Sequence, residues 1–373
     1  MQRRSILRLG GAMASASLGL GCAPRGPLRI GFIGGLSGKF ADLGIAERNG
    51  ALWAVEEANR QGGARGRSIE LVERDDAQDK EQLLKGLREL AALDVLAVVG
   101  TATSSMGVIA APAAAELGLT LVSPTATTAA LTAKDDAMVR VCNDAAAYGA
   151  ASAQTYTRHL GMRRVATLAD LANADYVQSW TGAFCGTASQ AGVQIVAKLE
   201  FNSTKSPDHG ALAVRLLEGE PDVIALACSG VDTAVLIQKL RQLRPEQAIA
   251  SSGWASTGRA LELAGRAGEG VYFEQYIDFF DQRPAFVEFN RQYQERFRQP
   301  AGYPGLLGAD AAGLLIAAAR ADVSRASIKT ALINRKHQGL QGEFAIDGFG
   351  DTQRPVHFTV VRNGQFAPVD WPR

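Results

Sequence analysis

The sequence predicts an α/β protein built from two doubly wound lobes. Of its 373 residues 47% are hydrophobic, at a formal charge of +1, which is core enough for two domains. From residue 28 to residue 252, short apolar or alternating runs take turns with segments whose apolar residues recur at helical spacing. The stretch Val98 to Thr132, VVGTATSSMGVIAAPAAAELGLTLVSPTATTAALT, shows where a ligand would sit. It reads as a βαβ unit, with strands Val95–Val99 and Leu119–Ser123 on either side of helix Val108–Glu116. In an open parallel sheet both strand ends fall on the carboxyl edge, where ligands bind. Here they carry Thr103–Ser104–Ser105 and Ser123–Pro124–Thr125–Ala126–Thr127. Small hydroxyls beside helix N-terminal N–H groups form a receptor for an anion such as a carboxylate, with no charged side chain needed.

In chain order, residues 1–27 read as an export signal and lipoprotein leader. Arg3, Arg4 and Arg8 precede the small and apolar run Leu9–Gly21, which ends at Cys22. RRSILR resembles a twin-arginine export signal and LGLGC a bacterial lipobox, which makes Cys22 the lipidation site. The first series that follows is strand Leu28–Gly34, helix Ile45–Gln61 with Leu52, Val55 and Ala58 on one face, strand Ser68–Arg74 and helix Lys80–Leu93. After the central βαβ unit a second series starts near Asn143. It has helices Ala150–Leu160, Gln178–Ala191, Ala211–Leu217 and Ala234–Arg244, alternating with strands Val165–Leu168, Val193–Glu200, Val223–Cys228 and Ala248–Ser252. The last third offers strand Gly270–Tyr276, helices Pro284–Phe297, Ala309–Ala321 and Ser327–Ile333, and a closing strand Val356–Arg362. These elements add to the existing lobes, so the chain crosses between lobes more than once and makes a hinge beside a cleft.

Several chemistries find little support. Lys and Arg are dispersed among Asp and Glu at near-zero net charge, which argues against nucleic acid as a partner. No stretch after residue 27 reads as a membrane span, leaving the lipid anchor as the contact with a membrane. Cys142, Cys185 and Cys228 are odd in number and widely spaced, as buried small hydrophobes are, with one bridge left open. GGLSGKF lacks the spacing and the following Ser or Thr of a phosphate-binding loop. Asp75, Asp76 and Asp79 read as an acidic turn, and His159, His209, His337 and His357 are isolated. With no GxSxG or HExxH pattern, the expectation is no metal, no cofactor and no enzyme.

LRIGFIGGLSGKFADLG, NRQGGARGRSIELVERDDAQD, the Val98–Thr132 stretch, GEGVYF and LGADAAGLLIAAARA follow one another in an order that resembles the leucine/isoleucine/valine-binding family of type I periplasmic binding proteins. These are extracytoplasmic solute receptors of ATP-driven importers. The resemblance implies two Rossmann-like lobes joined by a three-stranded hinge, with the ligand cleft between them. Lobe 1 would comprise residues 28–143 plus 275–355 and lobe 2 residues 146–271 plus 356–373, with crossings near Asn143–Ala145, Val271–Tyr276 and Pro355–Val361. It implies carboxylate contacts from Ser104 by side chain and amide, from Thr127 by hydroxyl and from Thr125 by backbone, with Ser105 and Ala126 lining the same wall. Ser37, Gly38 and Gly44 match the loop after the first strand, and Leu43 stands where some members have a ligand-covering aromatic. On the second lobe Tyr176 matches the family's loop tyrosine, with Ala174 as a competing match, and Trp254 lies on the cleft side.

The function so implied is a non-enzymatic, monomeric, lipid-anchored receptor in the periplasm or at the cell surface. It would close on a small carboxylate-bearing ligand of the branched-chain or hydrophobic amino-acid type and deliver it to permease and ATPase subunits. A sensing module of the same fold, or a receptor for aromatic or aliphatic carboxylates or amides, are the alternatives. Two departures bear on the choice. IASSGWAST has no acid where the family's amino-acid receptors pair the ligand ammonium, leaving Asp232 as the nearby substitute, and the disulfide positions of some members are Ala77 and Thr103.

Overall fold

Two sheets organise the chain, and the order in which their strands pair decides where a ligand can enter. A computed structural model describes residues 26–371; Cys22 and the leader up to residue 25 lie outside the described residues. The first sheet is built from β1 (Leu28–Gly34), α1 (Ala41–Arg60), β2 (Ile69–Asp75), α2 (Lys80–Ala92), β3 (Val98–Val99), α3 (Ser104–Glu116), β4 (Leu121–Ser123) and β5 (Met138–Arg140). Its five strands are all parallel, in the order β2-β1-β3-β4-β5. The strand interiors are apolar on both faces, with Ile30, Phe32, Ile33, Val98, Val99, Leu121 and Val122 fully buried, as a sheet covered on both sides requires.

The second series runs α4 (Ala145–His159), β6 (Arg164–Asp170), α5 (Ala174–Gln190), β7 (Gln194–Phe201), α6 (His209–Glu218), β8 (Val223–Ala227), α7 (Gly230–Leu243), β9 (Ala248–Ser251), α8 (Gly258–Ala264) and β10 (Tyr272–Gln275). The chain then forms α9 (Pro284–Phe297), α10 (Gly302–Arg320), α11 (Ile328–Leu332), a hairpin of β11 (Arg335–Gly339) and β12 (Gly342–Ile346), and finally β13 (His357–Arg362) and β14 (Gln365–Pro368). The second sheet has the order β14-β13-β10-β9-β8-β6-β7, antiparallel at β13 and β14 and parallel elsewhere. This is an α/β fold of two lobes. α10 lies against α1, so the chain leaves the first lobe after β5, returns to it after β10 and leaves it again before β13. Asn143 ties two of these passages together: its Nδ2 donates to Arg354 O at 2.8 Å and its Oδ1 accepts from Arg354 N at 2.5 Å.

Several elements depart from the sequence expectation. α3 begins at Ser104 rather than Val108, because small residues carry no periodic signal yet form a helix when buried. α10 begins at Gly302 rather than Ala309, because Gly302, Pro304, Gly305 and Gly308 read as loop residues yet sit in a helix buried nearly all round, and its nineteen residues are long and apolar enough to cross a membrane, against the reading that no such stretch follows residue 27. It is instead a core helix, with 83% of its apolar window buried against the rest of the fold. β5, α8, the β11–β12 hairpin and β14 carry no clear pattern: RKHQG is polar throughout, and MVR is three residues long. Cys142 and Cys228 are buried, Cys185 is half-buried, and all three are free thiols.

Candidate functional site

The carboxyl edge of the first sheet presents two loops held together by one serine. With Thr103 as the N-cap residue, Ser104 and Ser105 are the first residues of α3, where backbone N–H groups lack intrahelical acceptors. Ser104 Oγ accepts from Thr127 N at 3.1 Å and from Thr128 N at 3.0 Å. With both acceptor positions of its hydroxyl filled, its O–H remains to donate. Thr127 Oγ1 is buried with no partner among the described residues, a second hydroxyl left for a ligand. Ala126 N donates to Ser123 Oγ at 2.9 Å, and Ser123 Oγ to Thr101 O at 3.0 Å, so Ala126 is fixed in the wall by its backbone. Thr125 Oγ1 lies 2.6 Å from Ala102 O and in contact with Oε1 of the fully buried Glu47.

The second lobe meets this edge with the first turn of α5. Ser105 N donates to Asn173 Oδ1 at 3.2 Å and Ser105 Oγ to Asp175 Oδ2 at 2.8 Å. Ser105, expected to line the ligand wall, thus commits its amide and hydroxyl to joining the lobes. Ser179 Oγ accepts from Ala129 N at 3.1 Å and lies 3.1 Å from Thr128 Oγ1. A second bridge comes from GGLSGKF, where Lys39 Nζ reaches Asp232 Oδ2 and Ser203 O, each at 3.0 Å. Asp232 also accepts from Ser229 Oγ at 2.6 Å and lies 2.9 Å from His209 Nε2. Burial works to raise its pKa, but the hydrogen bonds from Ser229, Lys39 and His209 outweigh it and leave the carboxyl below its ordinary range. The acid that the sequence offered for a ligand ammonium is therefore already paired.

Between these contacts sits an aromatic cluster. Trp254, in a single helical turn after β9, packs edge-on against Phe40 at 5.4 Å and Tyr176 at 5.6 Å between ring centres. Tyr276 OH donates to Tyr176 OH at 3.1 Å, and the Tyr276 ring packs on Tyr148 at 4.5 Å and Tyr303 at 4.7 Å. Tyr303 OH donates to Trp254 O at 3.2 Å. Behind Trp254, the fully buried Glu274 accepts from Gly253 N at 3.2 Å, Ser152 Oγ at 2.6 Å and Trp180 Nε1 at 2.7 Å. Burial pushes its carboxyl up to about 7, with those donors opposing the rise. Leu43 is buried on α1 in the same apolar cluster as Phe40, Tyr176 and Trp254. A cavity of about 610 Å³ opens between the lobes, lined by Lys39, Asp42 and Ile45 of the first and Val231, Arg259 and Leu261 of the second.

Sequence reasoning placed Ser104, Thr127, Tyr176 and Trp254 near the cleft, and the structure brings Tyr176 and Trp254 into contact. It missed Glu47, Glu274, Phe40, Tyr148, Tyr276 and Tyr303. Tyr303 lay ahead of the helix start that periodicity gave, while Glu47 in AERNGA looks like any solvated helix position. The arrangement supplies two free hydroxyl donors for an anion beside an aromatic wall for an apolar group. Among the described residues no group of three His, Cys, Asp or Glu is placed to hold a metal ion.

A family model described as periplasmic binding protein matches residues 27–365. The Leu/Ile/Val-binding protein BraC3 of Rhizobium johnstonii is 26% identical over 264 residues, covering 70% of this chain and 71% of that protein. Among solved structures, the branched-chain amino acid transporter substrate binding protein LivJ from Streptococcus pneumoniae, in complex with isoleucine, superposes with a TM-score of 0.85 at 23% identity, over 93% of this chain and 100% of that one. A solute binding protein of an ABC transporter from R. palustris, in complex with benzoate, gives a TM-score of 0.82 at 18% identity, over 92% and 95% of the two chains.

Proposed function

The chain belongs to the periplasmic binding protein family, and from that premise we propose that it is the extracytoplasmic receptor of an ATP-driven importer, closing its lobes on a small apolar carboxylate. The observation that carries this reading is the pair of hydroxyls at Ser104 and Thr127, buried where the lobes meet, the first with its O–H left to donate and the second without a partner among the described residues. A carboxylate docked there first would gain the aromatic contacts of Trp254 and Tyr176 as the second lobe closes. Closure is then favoured by as much as the ligand prefers the closed state.

The names of the relatives span two kinds of such ligand. BraC3 and LivJ support a branched-chain amino acid, and the benzoate complex supports an acid without an amine. In this chain Asp232 is paired with Lys39 and Glu274 is bonded to three donors, which favours the amine-free members of the class. The proposal includes a monomeric receptor tethered through lipidated Cys22 and delivering its solute to permease and ATPase subunits, a reading that rests on the leader sequence and the family.

The test is a thermal-shift screen of L-leucine, L-isoleucine, 4-methylpentanoate and benzoate, since a ligand at a hundred times its Kd adds about 2.7 kcal/mol of stability. Ser104→Ala and Thr127→Ala each remove a donor to a desolvated anion, an interaction of roughly 1.5–3 kcal/mol, so each should weaken binding about tenfold or more. Affinities within about twofold of wild type for both variants, the scatter expected of peripheral substitutions, would overturn the carboxylate assignment.

A further inference from the structure

Thr125 carries one hydroxyl proton and stands between two oxygens. One is the carbonyl of Ala102, which only accepts, and the other is Oε1 of Glu47. When the threonine donates to the carbonyl, its contact with Glu47 is a hydrogen bond only if the carboxyl brings a proton of its own. Glu47 is completely buried, and its Oε2 has no partner among the described residues. The titratable groups that face it are Asp76 from the turn after β2, Tyr303 from α10 and Cys142 from the passage after β5, with no lysine or arginine among them. An ionised carboxylate there would be an uncompensated buried charge beside another acid.

We propose that Glu47 acts as a neutral carboxylic acid that donates to Thr125, and that the site holds a ligand anion only while Glu47 keeps this proton. The inference rests on the carboxylate reading above and adds its regulation. Ala102 leads into Ser104 and Thr125 into Thr127, so the chain Glu47–Thr125–Ala102 sets the spacing of the two hydroxyls that receive the ligand. Loss of the proton turns the Thr125 hydroxyl from Ala102 to Glu47 and puts a negative charge behind a wall built for an anion. Burial pushes Glu47 up to about 8, the Thr125 contact opposing this and Asp76 adding to it, so the proton is retained at neutral pH and lost just above. Glu47 is a positioning residue, acting on the ligand through Thr125.

The experiment is calorimetric titration with 4-methylpentanoate, benzoate and L-leucine from pH 6 to pH 9, a range in which the carboxyl groups of the probes do not titrate. For one group titrating near 8, the wild-type Kd for the two amine-free acids should be nearly level to pH 7 and rise about tenfold by pH 9. Glu47→Gln, whose amide donates to Thr125 at every pH, should flatten that rise, whereas Glu47→Ala should weaken binding throughout. A level wild-type profile, or a rise that persists in the Gln variant, overturns the proposal while leaving the carboxylate reading intact. A Kd that falls with pH, with L-leucine bound more tightly than 4-methylpentanoate, also overturns it, because Glu47 would then be ionised against an ammonium. If none of the probes binds, the carboxylate reading falls and the proposal with it. Infrared spectroscopy of the ligand-free protein gives an independent measure: Glu274 also holds a proton in part at pH 7, so the protonated-carboxyl carbonyl absorption should lose in Glu47→Gln a component that Glu274→Gln retains, and a wild-type minus Glu47→Gln difference without that component refutes the neutral acid.

Discussion

At the scale of single residues, two buried glutamates do opposite things with their protons. Glu47 meets only the Thr125 hydroxyl and leaves its Oε2 without a partner among the described residues, while Glu274 gathers three donors from Ser152, Trp180 and Gly253 and fixes the turn that carries Trp254. Its carboxyl is nonetheless raised, from an ordinary 4.5 to about 7, chiefly by burial. A carboxyl raised in the folded state contributes stability that is complete below its unfolded value and is lost as the pH rises through its folded value. Wild-type stability should therefore fall between about pH 4.5 and pH 7 by more than that of Glu274→Gln, which has no proton to lose. Urea unfolding of the two proteins at pH 5 and pH 8 measures this, and parallel pH profiles would contradict it. Neither glutamate stands out in the sequence, whereas Ser104 and Thr127 do. A hydroxyl in a strand-end loop announces itself by position, but a buried acid is recognised only once its surroundings are known.

At the scale of elements, the site depends on how closely α10 lies on α1. A Cβ on Gly50 would fall 1.9 Å from Gly305 O, and one on Gly308 would fall 2.2 Å from Glu47 O, so the helices meet backbone to backbone. That seam carries Glu47 on one side and leads to Tyr303 on the other. Gly50→Ala must push the helices apart, an overpacking cost of about 1–3 kcal/mol, and should weaken ligand binding as well. Gly313, on the same α10, provides the contrast, because a Cβ there would meet nothing within 4 Å. Gly313→Ala should stabilise by roughly 0.5–1 kcal/mol through helix propensity alone. Urea midpoints that move the same way in both variants would contradict this account of the seam. The same packing explains what periodicity could and could not reveal. Helices with one wet face, such as α2 and α9, show their apolar spacing in the sequence, but α3 is rich in Ala and Ser that mark no face, and the start of α10 is buried nearly all round with Gly and Pro interrupting its pattern, so no face stands out.

At the scale of the whole molecule, the lobes meet through the aromatic contact of Phe40 with Trp254 and through a set of polar groups around it. Ser105 meets Asn173 and Asp175, Ser179 meets Thr128 and Ala129, and Lys39 meets Asp232 and Ser203. When the lobes part, water can replace each of these partners, so together they favour closure far less than the same area of apolar contact would. That leaves the balance between open and closed within reach of a small ligand, whose differential contacts need supply only a few kcal/mol. The Lys39–Asp232 pair is the strongest candidate for setting this balance, because Asp232 is almost completely buried and Lys39 is its cation from the opposite lobe. Lys39→Ala removes a charge-assisted bond of about 1.5–3 kcal/mol from the closed state alone, while His209 and Ser229 still hold Asp232 within its own lobe. The ligand-free variant should therefore populate the open form more than wild type, with a larger radius of gyration in small-angle scattering. Its Kd should rise about tenfold, chiefly through faster release, because Lys39 makes no bond to the Ser104 and Thr127 wall. An unchanged radius of gyration together with an unchanged Kd would mean that this bridge follows closure without contributing to it.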